Sequence, residues 1–181
     1  WLEAQLVAAL GDGGRFGVAL RYSMEGRDFG AALETAGGIV TALPLLGVAD
    51  DEPFWVVSGD IFAPGFAFDA SAVQRFKSSA LDAHLWLVPN PPYHPRGDFG
   101  LGADGLGLAD GPGPDGRTWT YANLALLRPR LLAGIAPGTR VALAPSLFEG
   151  MRARRISAEV YAGDWANVGT PEQLAALNRG L

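Results

Sequence analysis

Two short, continuously apolar segments constrain the fold of this chain more than any other feature. Residues 54–57 (FWVV) and 85–88 (LWLV) lack an alternation of polar and apolar side chains, which is typical of central strands covered on both faces. A helical pattern lies between them, over residues 70–81, with Asp69 or Ser71 as its N-cap. A strand, a helix and a strand in this order predict an α/β domain.

The rest of the chain continues this pattern. Helical patterns cover residues 1–10, 35–46 and 143–155, and alternation predicts strands over 16–24 and 156–161. A further strand is expected over 121–127 and a hairpin around residues 99–108. The last helix begins at a capping box, in which Thr170 is the cap, Pro171 the first helical residue and Gln173 the returning partner. We therefore expect one domain over residues 1–181 with a mixed sheet.

Composition excludes several classes of function. The chain has a net charge of −5 and no cluster of its 14 lysines and arginines, which argues against a nucleic-acid partner. It has no cysteine, so disulfides and thiolate chemistry are excluded, and a reducing compartment fits. No window approaches a membrane-spanning run. We expect a cytoplasmic protein without a membrane partner, and the oligomeric state stays open.

Two oxygen-bearing side chains stand beside glycines, one at the end of an expected strand and one just before an expected helix. Asp60 closes Ser58-Gly59-Asp60 after the first apolar strand, and Asn167 precedes the capped helix. Ligands of open α/β sheets bind at the carboxyl ends of strands. Taken singly, Asp60 is equally well a turn residue and Asn167 is better explained as a loop amide. If folding joins them, one carboxylate and one amide suit Mg²⁺, which keeps waters and takes other ligands from substrate phosphates.

Other polar positions are less specific. Gly37 and Gly38 precede or open a helix and would let a base or ribose approach the backbone, although two glycines before a helix are common. His84 opens a strand and is expected to be structural. His94 lies in a proline-rich loop, within reach of a substrate, but has no evident Ser or Asp partner in the sequence.

The catalytic motifs that are absent also narrow the chemistry. The sequence has no Gly-x-Ser-x-Gly, no His-Glu-x-x-His and no phosphate-loop lysine, so a hydrolase built on a Ser–His pair is disfavoured. A phosphate monoester that attacks a nucleoside triphosphate is already ionised. Such a reaction needs alignment and charge neutralisation but no general base.

Four segments, in this order, resemble the sugar-1-phosphate nucleotidyltransferases. They are residues 33–39 (LETAGGI), 56–60 (VVSGD), 90–99 (NPPYHPRGDF) and 165–170 (WANVGT). The resemblance runs the whole length of the chain. It implies a Rossmann-like α/β domain with a mixed, mostly parallel sheet, and a bacterial, Mg²⁺-dependent enzyme of cell-wall recycling. The implied reaction joins UTP and a sugar 1-phosphate, expected to be N-acetylmuramate 1-phosphate, to give a UDP-sugar and pyrophosphate.

The same resemblance assigns roles to individual residues. Asp60 would be catalytic and ligate the metal, and Asn167 would be the second ligand, directly or through water. The nucleotide would be bound by Glu34, Thr35, Gly37 and Gly38. The sugar would be bound by Asn90, Gly97, Asp98 and Asn123.

One departure from the family pattern keeps alternatives open. The family's Gly-x-Gly-x-Arg loop and Pro-Lys-Pro segment, whose cations cradle the triphosphate, do not occur here, and Arg96 is the nearest cation to the expected cleft. We therefore expect the C-terminal portion of the domain, without its first strand and phosphate loop and inactive by itself. A mannose-1-phosphate guanylyltransferase or another sugar-nucleotide pyrophosphorylase is an alternative. A non-catalytic nucleotide-sugar-binding module is a second, which Asn167 in place of a carboxylate also favours.

Overall fold

A computed structural model describes residues 2–180 of the chain. Its α-helices are α1 (Glu3–Leu10), α2 (Glu25–Phe29), α3 (Glu34–Leu46), α4 (Ala70–Lys77), α5 (Ala144–Arg152) and α6 (Pro171–Gly180). Its strands are β1 (Phe54–Val57), β2 (Ile61–Phe62), β3 (Ala83–Val88), β4 (Phe99–Leu101), β5 (Gly107–Leu108), β6 (Thr118–Leu127), β7 (Ile156–Val160) and β8 (Ala166–Asn167). Two 3₁₀ turns span Gly14–Phe16 and Pro129–Leu132.

The main sheet is built around the ten-residue strand β6. One edge of β6 pairs antiparallel with β3, and β3 pairs in parallel with β7. The other edge pairs with β4 near its start and with β1 near its end, both antiparallel. Strand β5 completes the hairpin with β4, as the sequence predicts. A separate two-stranded ladder joins β2 to β8.

The expectation of a mostly parallel sheet is wrong. Within residues 2–180, β3 and β7 are the one parallel pair of the main sheet, and the other four pairings are antiparallel. Strands β1, β3, β4 and β7 do run in one direction. However, β6 lies between β1 and β3 and is antiparallel to both. The two strands on either side of α4 in the chain, β1 and β3, are therefore not hydrogen-bonded to each other.

Strand β6 is irregular at Asn123. Between the paired positions Leu85–Ala125 and Leu87–Tyr121, β6 has two more residues than β3. Asn123 has φ +57° there, a left-handed conformation that asparagine tolerates better than most residues. Its carbonyl accepts a 3.2 Å hydrogen bond from Ser58 N. The irregularity therefore couples the centre of β6 to the loop that follows β1.

Alternate residues of the central strands point to opposite faces of the sheet, and helices cover both faces. On one face, Leu85, Leu87 and Ile156 are fully buried beneath α3 and α5. On the other face, Trp86 and Leu126 pack with residues of α4. This arrangement explains the continuously apolar segments and confirms the predicted α/β class.

The local signals at helix starts are confirmed, and one strand prediction is wrong. Asp69 caps α4 by accepting from Ser71 N at 2.9 Å. Thr170 and Gln173 exchange hydrogen bonds of 3.0 and 3.2 Å, so the capping box forms at α6. The strand expected over residues 16–24 is replaced by a 3₁₀ turn and irregular chain. Phe16 is 54% exposed there, so the alternation buries no face.

The amino ends of β3 and β7 are held by a cluster of charges. Asp82, only 3% exposed, pairs with Arg130 at 2.6 Å and with Arg155 at 2.9 Å. The buried Arg128 pairs with Asp51 at 2.6 Å. The charged residues at the amino ends of these strands therefore pair with one another, whereas the loops described below lie at the carboxyl ends. Within residues 2–180, none of the helices is both long and apolar enough to cross a membrane.

Candidate active site

The loops that follow β1, β3 and β7 meet at one edge of the sheet because these strands run in the same direction. They enclose a cavity of about 400 Å³ against β6 and the start of α5. Its polar lining includes Thr35, Ser58, His94, Asp98, Asn123 and Asn167. The sequence argument that ligands would bind at these strand ends therefore agrees with the position of the cavity.

Folding brings Asp60 and Asn167 together. The register of the small ladder pairs Ile61 with Asn167, and Val168 N donates to Asp60 O at 2.8 Å. As a result, Asn167 Nδ2 lies 3.3 Å from Asp60 Oδ2, and both residues are half-buried. The juxtaposition on which the metal-site hypothesis depended is present.

The donor set of this pair suits a magnesium ion that takes most of its ligands from elsewhere. Asn167 Oδ1 accepts a 3.0 Å hydrogen bond from Gly169 N, and a carbonyl oxygen has a second lone pair. A Cβ at Gly169 would lie 3.2 Å from Asn167 Oδ1 and 3.5 Å from Asp60 Oδ2, so the glycine keeps space open beside both oxygens. Within residues 2–180 no group of three or more acidic or histidine side chains is placed to hold a metal. The pair thus fits Mg²⁺ with water and phosphate ligands rather than a closed cage.

Tyr93 and Trp165 flank the pair. Burial, and secondarily the charge of Asp60, raise the pKa of Tyr93. Trp165 Nε1 donates to Ala122 O at 3.0 Å, which fixes the indole against β6. Both side chains, with Asn167, also line a second cavity of about 530 Å³. Asn167 therefore lies between the two cavities, whereas Asp60 is not among the described residues that line either of them.

The two glycines of α3 accommodate other parts of this chain. A Cβ at Gly37 would overlap the carbonyl oxygen of Thr139, and one at Gly38 would lie 2.5 Å from Glu25 Oε1. The backbone N–H groups of Ala36 and Gly37 both donate to Val141 O, at 3.0 and 3.1 Å. Gly37 thus packs closely against residues 139–141 and Gly38 against Glu25, a different reason for these glycines than the nucleotide approach inferred from the sequence.

The two residues before them behave differently from each other. Glu34 has φ +62°, and its exposed carboxylate pairs with Arg140 at 2.8 Å. Thr35 is exposed and lines the first cavity. Four residues were expected to bind the nucleotide. Among the described residues of the cavity wall, Thr35 is the one member of that set.

Asn90 has an evident structural role. Its Nδ2 donates to Pro95 O at 3.2 Å and to Thr118 O at 3.1 Å, and its Oδ1 accepts from Thr120 Oγ1 at 2.9 Å. Gly97 has φ +58°, and a Cβ there would lie 2.5 Å from Asn90 Oδ1. These contacts tie the loop of residues 90–98 to β6. Neither Asn90 nor Gly97 is part of the wall of the first cavity.

Asp98 and Asn123, the other two expected sugar ligands, do line the cavity. Asp98 Oδ2 accepts from Tyr121 N at 2.8 Å, and Asp98 Oδ1 lies 3.1 Å from His94 Nε2. The expectation that His94 lacks an acidic partner is wrong. The four-residue spacing of His94 and Asp98 was the available signal, but in a loop that spacing does not fix which side chains meet.

No family model matches the chain. Among known proteins, it is 42% identical over 173 residues to the N-acetylmuramate alpha-1-phosphate uridylyltransferase of Neisseria meningitidis serogroup B, covering 94% of this chain and 70% of that protein. It is 26% identical to the glucose-1-phosphate thymidylyltransferase of Streptomyces griseus, covering 97% of this chain and 49% of the relative.

Solved structures agree with these matches. A Bacillus anthracis protein named as a glucose-1-phosphate thymidylyltransferase, in complex with sucrose, superposes with a TM-score of 0.71 at 16% identity, over 97% of this chain and 70% of that one. HddC from Yersinia pseudotuberculosis gives a TM-score of 0.58 at 14% identity, over 83% and 63%. The chain shares the fold of these proteins.

Proposed function

Because the chain belongs to the sugar-1-phosphate nucleotidyltransferase family, we propose that it transfers the uridylyl group of UTP to N-acetylmuramate 1-phosphate. The choice of base and sugar rests on the relative from Neisseria meningitidis, whose name specifies both. The observation that carries the proposal is the Asp60–Asn167 pair, 3.3 Å apart beside the cavity. The reaction would belong to bacterial cell-wall recycling, and UTP as substrate would place it in the cytoplasm.

In the proposed reaction, an oxygen of the sugar phosphate attacks the α-phosphorus of UTP. The bond between that phosphorus and the oxygen bridging to the β-phosphate breaks, and pyrophosphate leaves with the electron pair. The attacking phosphate is ionised at neutral pH, so no side chain has to remove a proton. The protein's task is to align the two substrates and to offset their negative charge.

Mg²⁺ is the proposed cofactor. Asp60 would ligate it directly, and Asn167 would ligate it through its amide oxygen or through a water molecule. When bound, the ion neutralises phosphate charge and polarises the phosphoryl group. Gly169 contributes by leaving the space beside both oxygens empty.

The remaining assignments divide into ligand contacts and supports. Asp98 and Asn123 line the cavity where the sugar would lie, and Thr35 lines it where the nucleotide would enter. Glu34, Gly37 and Gly38 would act through the backbone at the start of α3. Asn90 and Gly97 would act by holding the loop of residues 90–98 in place. Residues 1–181 would all belong to a single nucleotidyltransferase domain.

Two alternatives have specific support. The relative from Streptomyces griseus acts, by its name, on a thymidine nucleotide and glucose 1-phosphate, so another base or sugar is one; guanylyl transfer to mannose 1-phosphate belongs to the same class. A non-catalytic nucleotide-sugar-binding module is the other. Among the described residues that line the first cavity there is no lysine or arginine. For the same reason we expect little transferase activity from the 181-residue chain alone.

The decisive experiment measures pyrophosphate release by the protein produced from its complete reading frame. UTP, GTP and dTTP are each combined with N-acetylmuramate 1-phosphate, mannose 1-phosphate and glucose 1-phosphate, with and without Mg²⁺. We expect release with UTP and N-acetylmuramate 1-phosphate that requires Mg²⁺ and is lost in Asp60→Asn. Release with another pair would replace the substrates. Binding without any release would favour the non-catalytic module.

A further inference from the structure

The described wall of the first cavity contains few charged side chains, although the proposed ligand is a negatively charged sugar phosphate. Among the described residues that form its wall, Asp98 is the one carboxylate and His94 is the one side chain able to carry a positive charge. An acidic group in such a wall repels anionic ligands unless another group compensates for it. The contact between Asp98 and His94 therefore determines whether the cavity wall repels or attracts a negatively charged ligand.

The two oxygens of Asp98 are both engaged by the protein. Oδ2 accepts from Tyr121 N at 2.8 Å, which fixes the carboxylate to β6, and Oδ1 lies 3.1 Å from His94 Nε2. A carboxylate accepts hydrogen bonds, so Nε2 carries a proton in this contact. The atom of His94 left for a ligand is Nδ1. Asp98 thus orients the imidazole as well as lining the cavity.

The position of His94 relative to the Asp60–Asn167 pair sets which anion it would meet. Ser58, two residues before Asp60, bonds to Asn123 O, whereas Asp98 bonds to Tyr121 N. Tyr121 and Asn123 are two residues apart on β6, so both loops are attached to the same part of that strand. A sugar phosphate whose phosphate group is held at the pair would extend into the cavity that both Asn167 and His94 line.

We propose that His94, oriented by Asp98, binds the carboxylate of the sugar 1-phosphate and so selects a carboxylated sugar over its uncharged analogue. This inference rests on the proposed function, because N-acetylmuramate differs from N-acetylglucosamine by a lactyl ether that carries a carboxylate. In the complex, the imidazole lies between two carboxylates, that of Asp98 and that of the substrate. Such charge-assisted hydrogen bonds are about twice as strong as neutral ones. An analogue without the carboxylate leaves Nδ1 without its partner, which favours discrimination.

The test compares N-acetylmuramate 1-phosphate with N-acetylglucosamine 1-phosphate in the protein produced from its complete reading frame. His94→Gln should raise the KM for the carboxylated sugar by about 10–100-fold, the effect of losing one charge-assisted hydrogen bond. The KM for the uncharged sugar, the KM for UTP and kcat should change less than about twofold. Asp98→Asn should shift KM in the same selective direction, because Asp98 is a positioning residue. Equilibrium binding of both sugars, with a non-hydrolysable UTP analogue present, gives the same comparison without turnover.

Arg96→Gln is the matched control. Arg96 is exposed in the same loop, and its backbone carbonyl, which accepts from Thr118 Oγ1 at 2.7 Å, is unaffected by the substitution. It should leave the ratio of the two KM values unchanged. Equal losses for both sugars in His94→Gln, no loss for either, or a selective loss in Arg96→Gln would each overturn the inference. A wild-type protein that uses or binds neither sugar phosphate would instead refute the proposed function.

Discussion

Asn167 lies 3.3 Å from Asp60 although 107 positions separate them in the chain. The contact is produced by a two-residue ladder, in which Ile61 pairs with Asn167. Since β1 and β7 run in the same direction, the loops after them reach the same edge, and the ladder then joins those loops. The metal-site proposal therefore rests on the tertiary fold and not on a local sequence motif.

The first prediction concerns the charge of this pair. Asn167→Asp places a second carboxylate within hydrogen-bonding distance of Asp60, and two close carboxylates repel each other without a cation. We expect a lower Tm than wild type in EDTA and a larger rise in Tm when Mg²⁺ is added. Thermal melts of wild type, Asn167→Asp and Asp60→Asn across a Mg²⁺ series measure this. Asp60→Asn should lose the Mg²⁺ response, and a wild-type response retained in that variant would remove Asp60 from the metal site.

The second prediction concerns the empty space at Gly169. Its backbone φ is not in the left-handed region, so alanine is tolerated by the backbone, but the new methyl group would lie 3.2 Å from Asn167 Oδ1 and 3.5 Å from Asp60 Oδ2. We expect Gly169→Ala to raise the Mg²⁺ concentration needed for half-maximal activity by about 10-fold, as supporting residues around metal ligands typically do. Its Tm in EDTA should stay within a few degrees of wild type. An unchanged Mg²⁺ dependence would show that this space is not needed.

The sequence was informative where a local interaction decides the structure. The cap of Thr170 and Gln173 depends on residues three apart, and it forms as predicted. The positions of Asp60 and Asn90 after strands were also predictable, because a continuous apolar segment marks the strand that precedes each. Long-range partners were not predictable in this way. The insertion of β6 between β1 and β3, the carbonyl of Thr139 against Gly37, and the internal hydrogen bonds of Asn90 all depend on segments distant in sequence.

The third prediction concerns the pH dependence of stability at His84. Its Nδ1 lies 2.8 Å from Ser157 Oγ, and its Nε2 lies 3.6 Å from Glu159. Burial lowers the pKa of His84; Glu159 opposes this effect, and Arg75 adds to it. The unfolded chain, with a histidine pKa of about 6.5, then binds more protons than the folded one, so this contribution to stability is complete above that pH and decreases as the pH falls.

Urea unfolding of wild type and His84→Gln at pH 7.5 and 5.5 measures that contribution. The wild-type free energy of unfolding should fall more on acidification than that of His84→Gln, which has no proton to gain at this position. The difference between the two proteins is the useful quantity, since groups that do not contact His84 titrate equally in both. A larger acid loss in His84→Gln would mean that the pairing with Glu159 outweighs burial.

The fourth prediction separates the two edges of the sheet. Asp82 is 3% exposed and pairs with Arg130 and Arg155, so Asp82→Asn removes a charge that two guanidinium groups share. Breaking a buried pair from one side is costly, and because both arginines are partly exposed we expect about 2–4 kcal/mol less free energy of unfolding. Asp110→Asn is the matched control. Its pair with Arg152, at 2.9 Å, is largely exposed on both sides, so its loss should leave the free energy of unfolding close to that of wild type. Urea unfolding measures both values.

The Tm shift produced by Mg²⁺ should persist in Asp82→Asn, since Asp82 is at the amino ends of the strands and Asp60 at the carboxyl ends. If folded Asp82→Asn showed no rise in Tm on addition of Mg²⁺, the amino and carboxyl ends of the strands would be energetically coupled.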